Sequence, residues 1–209
     1  MQREEKSERS RRQVLDAALH LFSRNGYRGT SVRDIADRAD VSIGNVYHHF
    51  PDKEALFNTL LAELWEIADS PRFPFRRALA SGQFPDNIER LAFAARDSVS
   101  EFREYMTLVY VDVIEFKGTH IRKFYGDLAR LFADLLASTG TEEAIRKRLR
   151  PGVSPVSALL LTARVFFDYF TIEILFNVSE PFGKDQATTI QEVTDILRNG
   201  LQDNGKEKQ

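Results

Sequence analysis

The first fifty residues contain three short apolar stripes with the period of an α-helix, and these constrain the fold more than any other feature of the chain. The first stripe ends at Gly26 and the third ends before Pro51. Because glycine and proline commonly end helices, three separate helices are predicted. Helices this short are marginal alone and must pack on one another. The tight connection between the second and third forces a steep crossing angle, which is helix-turn-helix geometry.

Capping signals agree with these boundaries. Ser31 and Asp34 have the capping-box spacing before the second helix, and Ser42 is placed to cap the third. Asp52 then caps a fourth and longer helix, which we expect to reach about Asp69. The apolar positions of the first three helices are Val14, Ala17, Ala18, Leu21 and Phe22; Val32, Ile35, Ala36 and Ala39; and Ile43, Val46, Tyr47 and Phe50.

The third helix carries two adjacent histidines, His48 and His49, which raises the question of a metal site. Neighbouring helical residues point about 100 degrees apart, so this pair cannot bind one metal as an i, i+4 pair does. The chain contains no HExxH or ExxH motif. Simple solvent exposure is the alternative, but the same helix has Gly44, where another backbone can approach, and polar donors on its outer side. We therefore predict that this helix faces a partner outside the protein.

The run "VLDAALHLFSRNGYRGTSVRDIADRADVSIGNVYHHFPDKEALF" resembles the DNA-binding domain of the TetR family of bacterial transcriptional repressors almost position by position. The resemblance covers about the first quarter of the chain. It implies a small N-terminal three-helix domain, which a fourth helix joins to a helical ligand-binding and dimerisation domain. It leaves the ligand open.

The resemblance also implies roles for individual residues. Thr30 and Ser31 match positions that begin the second helix and touch phosphate, although capping alone also explains them, and Arg33 lies on the exposed side. Ile43 departs from the family, which often has a polar or small residue there, and an apolar side chain can read a thymine methyl or contact no base. The positions that match backbone contacts are Tyr47, His49 and Lys53; those that match base contacts are Ser42, Ile43, Gly44, Asn45 and His48.

Charge and composition limit which classes of protein function remain. The formal net charge of −2 predicts no nucleic-acid partner by itself. The absence of cysteine excludes disulfides and thiolate sites and is compatible with a reducing cytoplasm. The charged N-terminus argues against an ordinary secretory signal. We find no nucleophile, metal cluster or carboxylate dyad at helical spacing, so an enzyme is a distant alternative, and no cofactor is expected.

The rest of the chain is predicted to be helical, which makes the protein all-α. Residues 1–68 would form the N-terminal arm, the helix-turn-helix domain and the connecting helix, and residues 69–209 would form the regulatory and dimerisation domain. Residues 70–87 read as an irregular connection with room for one short helix. The stretch "LVYVDVIEF" is β-prone by composition, but we interpret it as a buried helix because its neighbours are helical.

Aromatic residues are frequent after Phe50, and most of them are expected to be ordinary core. Arg96 borders an apolar stripe, where it would meet an acidic ligand or an internal carboxylate such as Asp112 or Glu115. A mixture of large apolar surface and few polar groups is typical of a small-molecule cavity. The candidate ligand-binding residues are Phe93, Arg96, Tyr110, Phe116, Phe124, Phe166 and Phe170.

The segment from Ser154 to Asn177 is apolar nearly all round. Its charged residues, Arg164 and Asp168 among them, disfavour a membrane span and have the spacing of an i, i+4 ion pair. A buried helix fits better. Such a helix, with a second one over 187–201, forms the dimer interface in the TetR family, and a two-fold dimer suits a palindromic operator.

Together these observations predict a DNA-binding transcriptional regulator in the bacterial cytoplasm, on the nucleoid when bound to double-stranded DNA. The leading interpretation is a homodimeric repressor that a small, largely apolar ligand releases from a palindromic operator. The alternative is a TetR-like protein that a protein partner controls, or one without an inducer. These two differ only in whether the C-terminal cavity is open.

Overall fold

The computed structural model describes residues 2–202, with side chains from residue 4 onward, and within this part of the chain it is built from α-helices. An isolated bridge joins Leu149 and Gln202. The all-α prediction is confirmed. The helices are α1 Gln2–Asn25, α2 Val32–Ala39, α3 Ile43–His49, α4 Lys53–Ala68, α5 Pro74–Leu79, α6 Ile88–Glu101, α7 Arg103–Phe116, α8 Arg122–Thr139, α9 Glu142–Arg146, α10 Pro155–Phe170 and α11 Gln186–Leu201.

The first helix is longer than the sequence predicts. It begins at Gln2 instead of near Arg9, so the expected arm is a continuation of α1. Glu4 and Glu5 lie in its first turn, where negative charge interacts favourably with the helix dipole. The carboxylate of Glu8 lies 3.6 Å from the Arg11 guanidinium, which adds an i, i+3 pair on the surface.

The chain divides into two compact units whose boundary differs from the expected one. The N-terminal unit contains Met1–Glu66 together with Phe102–Tyr125, and the C-terminal unit contains Ile67–Glu101 together with Gly126–Gln209. Residue 1 and residues 203–209 lie outside the described residues. A division at residue 68 therefore misses α7, which packs against α1 within the N-terminal unit.

An aromatic cluster explains why α7 belongs to the N-terminal unit. The ring of Phe116, the last residue of α7, stacks on Phe57 of α4 at 5.1 Å and meets the edge of Tyr27 at 4.6 Å. Phe57 in turn packs edge to face with Phe22 of α1, and both are fully buried. Aromatic pairs at these distances add to the burial of large apolar surface. One core thus joins α1, α4 and α7.

A polar network joins the same three helices at their side. The Arg12 guanidinium on α1 donates to both carboxylate oxygens of Glu63 on α4, each at 3.1 Å. The Tyr105 hydroxyl on α7 donates to Glu63 at 2.8 Å. Hydrogen bonds to Asp16 are the largest cause that raises the pKa of Arg12. Several shared charged hydrogen bonds are worth more than an isolated surface pair.

The C-terminal unit is organised around α6, which packs against α5, α10 and α11. The fully buried Ser98 hydroxyl on α6 accepts from the Phe75 amide at 3.0 Å and donates to the Ala94 carbonyl, which satisfies a buried helix start. On α11, Ile190, Leu197 and Leu201 are buried against this unit's own core. The side of α11 left uncovered carries Ile196 instead.

The predicted helices of the second half are present, with one local difference. "LVYVDVIEF" is part of α7, and the connection at 70–87 contains the short helix α5. The apolar helix expected over 154–177 consists of α10 followed by a π-helical turn, Thr171–Leu175. Among the residues that the structure describes, no helix is both long and apolar enough to cross a bilayer.

Candidate nucleic-acid interface

The turn between α2 and α3 sets the angle of the helix pair. Asp40 adopts a left-handed conformation with φ 55°, and its amide and that of Val41 donate back to the last turn of α2. Aspartate tolerates this conformation better than most residues. Ser42 then caps α3 by accepting from the Asn45 amide at 3.1 Å. The chain reverses within a few residues, as helix-turn-helix geometry requires.

The two sides of α3 have different environments. Val46 and the following Phe50 are buried, so they fix the helix to the unit. Tyr47 is 51% exposed, and Ile43, Gly44 and His48 are also exposed. A Cβ added at Gly44 would meet only the Ser42 hydroxyl, at 3.9 Å, so no fold contact requires glycine there. The outer side of α3 is therefore available to a partner.

The residues expected to touch phosphate at the start of α2 are not equivalent. Thr30 is 1% exposed and its hydroxyl donates to the Gly26 carbonyl at 2.9 Å, so it is a structural residue here. Its predicted phosphate contact does not fit this burial. Ser31 and Asp34 form the predicted capping box, with the Asp34 amide donating to the Ser31 hydroxyl. Ser31 and Arg33 are exposed at this helix end.

Lys53 has a structural role that the sequence does not indicate. Its ammonium group donates to the carbonyls of Tyr27 and Thr30, both at 2.8 Å, and lies 4.1 Å from the centre of the Tyr27 ring. Burial lowers the pKa of Lys53, and the nearby Glu115 carboxylate opposes this effect. Two of its three donors are used inside the protein. One donor remains for a phosphate.

Glu115 of α7 holds the other side of the same turn. Its carboxylate oxygens accept from the Tyr27 amide at 2.9 Å and from the Arg28 amide at 2.7 Å. Together with Lys53, this residue satisfies both the donors and the acceptors of the turn that leads into α2. We refer to Lys53, Glu115 and residues 27–30 as the turn clamp. No local sequence signal indicates it, because Glu115 is far away in the chain.

Asn45, a predicted base contact, is half-buried and has a partner on α1. The Ser10 hydroxyl donates to the side-chain oxygen of Asn45 at 2.6 Å. An open groove of about 840 Å³ lies between the start of α1 and α3. Its walls carry mainly polar and charged side chains: Glu5, Lys6, Ser7, Arg9, Ser10, Gln13, Asp40, Ser42, Asn45, His48 and His49, together with Val41.

His48 and His49 lie next to each other but are not arranged as ligands of one metal ion. The rings of His48 and His49 meet edge to face with centres 5.0 Å apart. Burial lowers the pKa of His49, and the positive charges of His48 and Arg11 lower it further. Among the described residues, no group of three or more His, Asp or Glu side chains is placed to hold a metal ion.

The candidate ligand residues are divided between the two units. Tyr110, Phe116 and Phe124 belong to the N-terminal unit, where Phe116 is part of the aromatic core and Phe124 stacks on Trp65 at 3.8 Å. Phe93, Arg96, Phe166 and Phe170 belong to the C-terminal unit. Phe166 and Phe170 are fully buried there, and Phe93 is half-buried. Phe116 and Phe124 thus have packing partners that account for their aromatic side chains.

Arg96 does not meet the carboxylates proposed for it. It pairs with Asp97 at 2.9 Å, donates to Gln186 at 3.4 Å and lies over the Phe93 ring. Asp112 instead binds His120, and Glu115 belongs to the turn clamp. The carboxylate that pairs with Arg96 is that of the neighbouring, exposed Asp97, and not that of Asp112 or Glu115.

Comparison with known proteins finds relatives of the first part of the chain. A family model described as "Bacterial regulatory proteins, tetR family" matches residues 14–60. The repressor KstR of Rhodococcus jostii is 43% identical over 60 residues, which are 29% of this chain and 28% of that protein. The repressor KstR2 of Mycobacterium tuberculosis is 33% identical over 128 residues, 50% of this chain and 64% of that protein. In sequence, the chain thus matches less than two thirds of these relatives' lengths.

A solved structure extends the likeness to the whole fold. The ketosteroid transcriptional regulator KstR2 of Mycobacterium tuberculosis superposes with a TM-score of 0.54 at 22% identity, covering 93% of this chain and 95% of that one. At this identity the likeness concerns the fold alone. The matched sequence region contains α2, α3 and the start of α4, which are the elements that form the surface described above.

Replacement of Lys53 by methionine tests the turn clamp. The change removes two charged hydrogen bonds to backbone carbonyls, so we expect the free energy of unfolding to fall by about 2 kcal/mol in urea denaturation. The exposed Lys6→Met is the control and should remain within about 0.5 kcal/mol of the parent protein. Equal stability of both variants would show that Lys53 does not hold the turn.

Proposed function

We propose that this chain, which belongs to the TetR family through its N-terminal domain, is a DNA-binding transcription regulator that represses a palindromic operator as a homodimer. The observation that carries the proposal is the uncovered side of α3, a capped helix whose other side is fixed in the core. A helix of this kind fits the major groove, and α2 crosses the backbone beside it.

Contacts to the DNA backbone are proposed for the exposed rim of the surface. The Tyr47 hydroxyl, the His49 ring, the third donor of Lys53 and the exposed Ser31 and Arg33 supply donors or positive charge. Phosphate contacts give most of the affinity without sequence preference and make binding depend on salt. Ile43, Gly44, Asn45 and His48, with Ser42 at the helix start, are proposed to face base edges.

The homodimer is proposed to form through α10 and α11. Leu161 on α10 is 49% exposed and Ile196 on α11 is 70% exposed, although both helices have an opposite side buried in their own unit. We propose that these exposed apolar side chains belong to one interface patch. A palindromic operator has half-sites about 34 Å apart, one turn of DNA, and a two-fold dimer supplies one copy of α3 for each.

Release by a small, largely apolar ligand is proposed as the regulatory step. The aromatic side chains Phe93, Phe166 and Phe170 and the polar pair of Arg96 and Gln186 in the C-terminal unit support an apolar ligand with few polar groups. Movement of α4, which begins at Lys53, would change the separation of the two reading helices. A shift of a few ångströms then costs contacts in both half-sites at once.

The variant Gly44→Ala separates stability from DNA binding. The added methyl meets no close neighbour within the protein and raises helix propensity, so the free energy of unfolding should rise by up to about 1 kcal/mol. If the α3 backbone approaches DNA closely, the same methyl should lower affinity at least about tenfold. Thermal unfolding and fluorescence anisotropy with operator DNA measure the two effects.

Gly126→Ala provides a matched control for this experiment. Gly126 lies within α8, and a Cβ there would meet nothing within 4 Å. The variant should gain similar stability while its affinity for DNA stays that of the parent protein. Unchanged DNA affinity in Gly44→Ala would contradict the placement of α3 in the groove.

The dimer proposal is tested by Ile196→Glu. A carboxylate at the centre of an apolar interface is costly to bury, so we expect a monomer in sedimentation analysis and loss of binding to a full palindrome. Ile114→Glu is the control, since Ile114 is 78% exposed on α7, outside the proposed interface. A variant Ile196→Glu that remains dimeric would place the interface elsewhere.

Ligand release requires reciprocal coupling between the two sites. Ketosteroids are suitable first probes, because one structural neighbour is a ketosteroid transcriptional regulator. In calorimetry, an inducer should bind the DNA complex more weakly than the free protein by about five- to 150-fold, the usual range of allosteric coupling. A compound with equal affinity for both forms is not an inducer. Control by a protein partner predicts that no compound tested shows this difference.

A further inference from the structure

We infer that Ser10 on α1 is a positioning residue that fixes the side chain of Asn45 for reading one base in each half-site. The inference rests on the proposed function and extends it to a helix outside the helix-turn-helix. It assigns a role in sequence preference to a residue that contacts no base.

The geometry of the contact supports this role. The Ser10 hydroxyl donates to the Asn45 side-chain oxygen at 2.6 Å across 35 residues of sequence. The Asn45 amide nitrogen of the backbone is already held by the Ser42 hydroxyl. Main chain and side chain of Asn45 are thus both fixed before any partner arrives. An unrestrained surface asparagine would instead lose rotamer freedom upon binding, which costs affinity and selectivity.

The hydrogen bond from Ser10 also determines which hydrogen-bonding groups of the Asn45 side chain remain for a partner. A side-chain amide has two lone pairs on oxygen and two N–H donors on nitrogen. Ser10 occupies one lone pair and leaves the other, together with both N–H donors. These groups suffice for the paired contact that asparagine makes with a purine edge in the major groove. Ser10 therefore orients the amide without blocking it.

The position of Ser10 relative to α3 is itself well determined. Val14, one turn further along α1, is fully buried. The neighbouring Arg11 guanidinium lies 5.4 Å from the centre of the Phe50 ring, just beyond the end of α3. The burial of Val14 fixes α1 in the core of the unit, and the Arg11 contact and the packing of α1 against α3 fix this part of α1 beside α3. The hydroxyl of Ser10 is consequently presented from a rigid helix, as a supporting residue must be.

Selection of preferred sequences from a random duplex library tests the inference with the full-length protein. Ser10→Ala and Asn45→Ala should relax preference at the same single position of each half-site. Full loss of a base contact corresponds to about five- to 150-fold in discrimination, and Ser10→Ala should lose a large part of it. The double variant should be no more relaxed than Asn45→Ala alone, because one residue acts through the other.

Two further variants exclude a general structural effect. Ser10→Thr keeps the hydroxyl and should restore the parent preference at that position. Ser7→Ala changes a serine on the same helix that lines the same groove, and it should leave the preference as it is. The salt dependence of non-specific binding should be the same in Ser10→Ala as in the parent protein, because no phosphate contact is removed.

The outcomes distinguish this inference from the proposed function. If the parent protein enriches no sequence at all, the proposed function fails. If it enriches a palindrome and Ser10→Ala retains the full preference, the function stands and the role of Ser10 is wrong. The role is also wrong if Asn45→Ala retains the preference, or if the two variants relax different positions.

Discussion

The turn clamp is the interaction on which the candidate interface depends most directly. Residues 27–30 set where α2 begins, and within them only the Tyr27 ring is described in the aromatic core. Lys53 satisfies their carbonyls and Glu115 satisfies their amides. Because a buried or half-buried backbone group without a partner is costly, the loop has one favourable arrangement while both side chains are in place. The positions of α2 and α3 follow from it, since they pack against α1 and each other.

Local sequence signals predict those features of the fold that depend on residues close together in the chain. The caps at Ser31, Ser42 and Asp52 involve residues three apart, and each is present in the structure. The helix α1 begins earlier than its apolar stripe predicts, because its first turns carry favourably placed charges and no apolar stripe. The contacts of Ser10 and Glu115 join residues 35 and 88 apart, and no spacing rule reveals such pairs.

The aromatic residues show a second limit of sequence reasoning. A phenylalanine in an apolar stripe has the same pattern whether it fills a core or lines a cavity. Phe116 and Phe124 prove to pack on aromatic partners, Phe57 and Trp65, within the N-terminal unit. The assignment of α7 to that unit depends on tertiary contacts, which composition does not encode. The candidate site on α3 was more predictable because capping and burial together decide which side is exposed.

The length of α1 has a mechanical consequence. The helix runs unbroken through 24 residues, with the turn clamp just beyond one end and the Ser10 contact in its other half. From Asn25 to Ser10 the distance along the axis is about 22 Å at the usual rise per residue. A tilt of about 5 degrees about the clamped end moves Ser10 by about 2 Å over such a lever arm. A slight rotation of α1 at its clamped end thus moves Ser10 by about the length of a hydrogen bond.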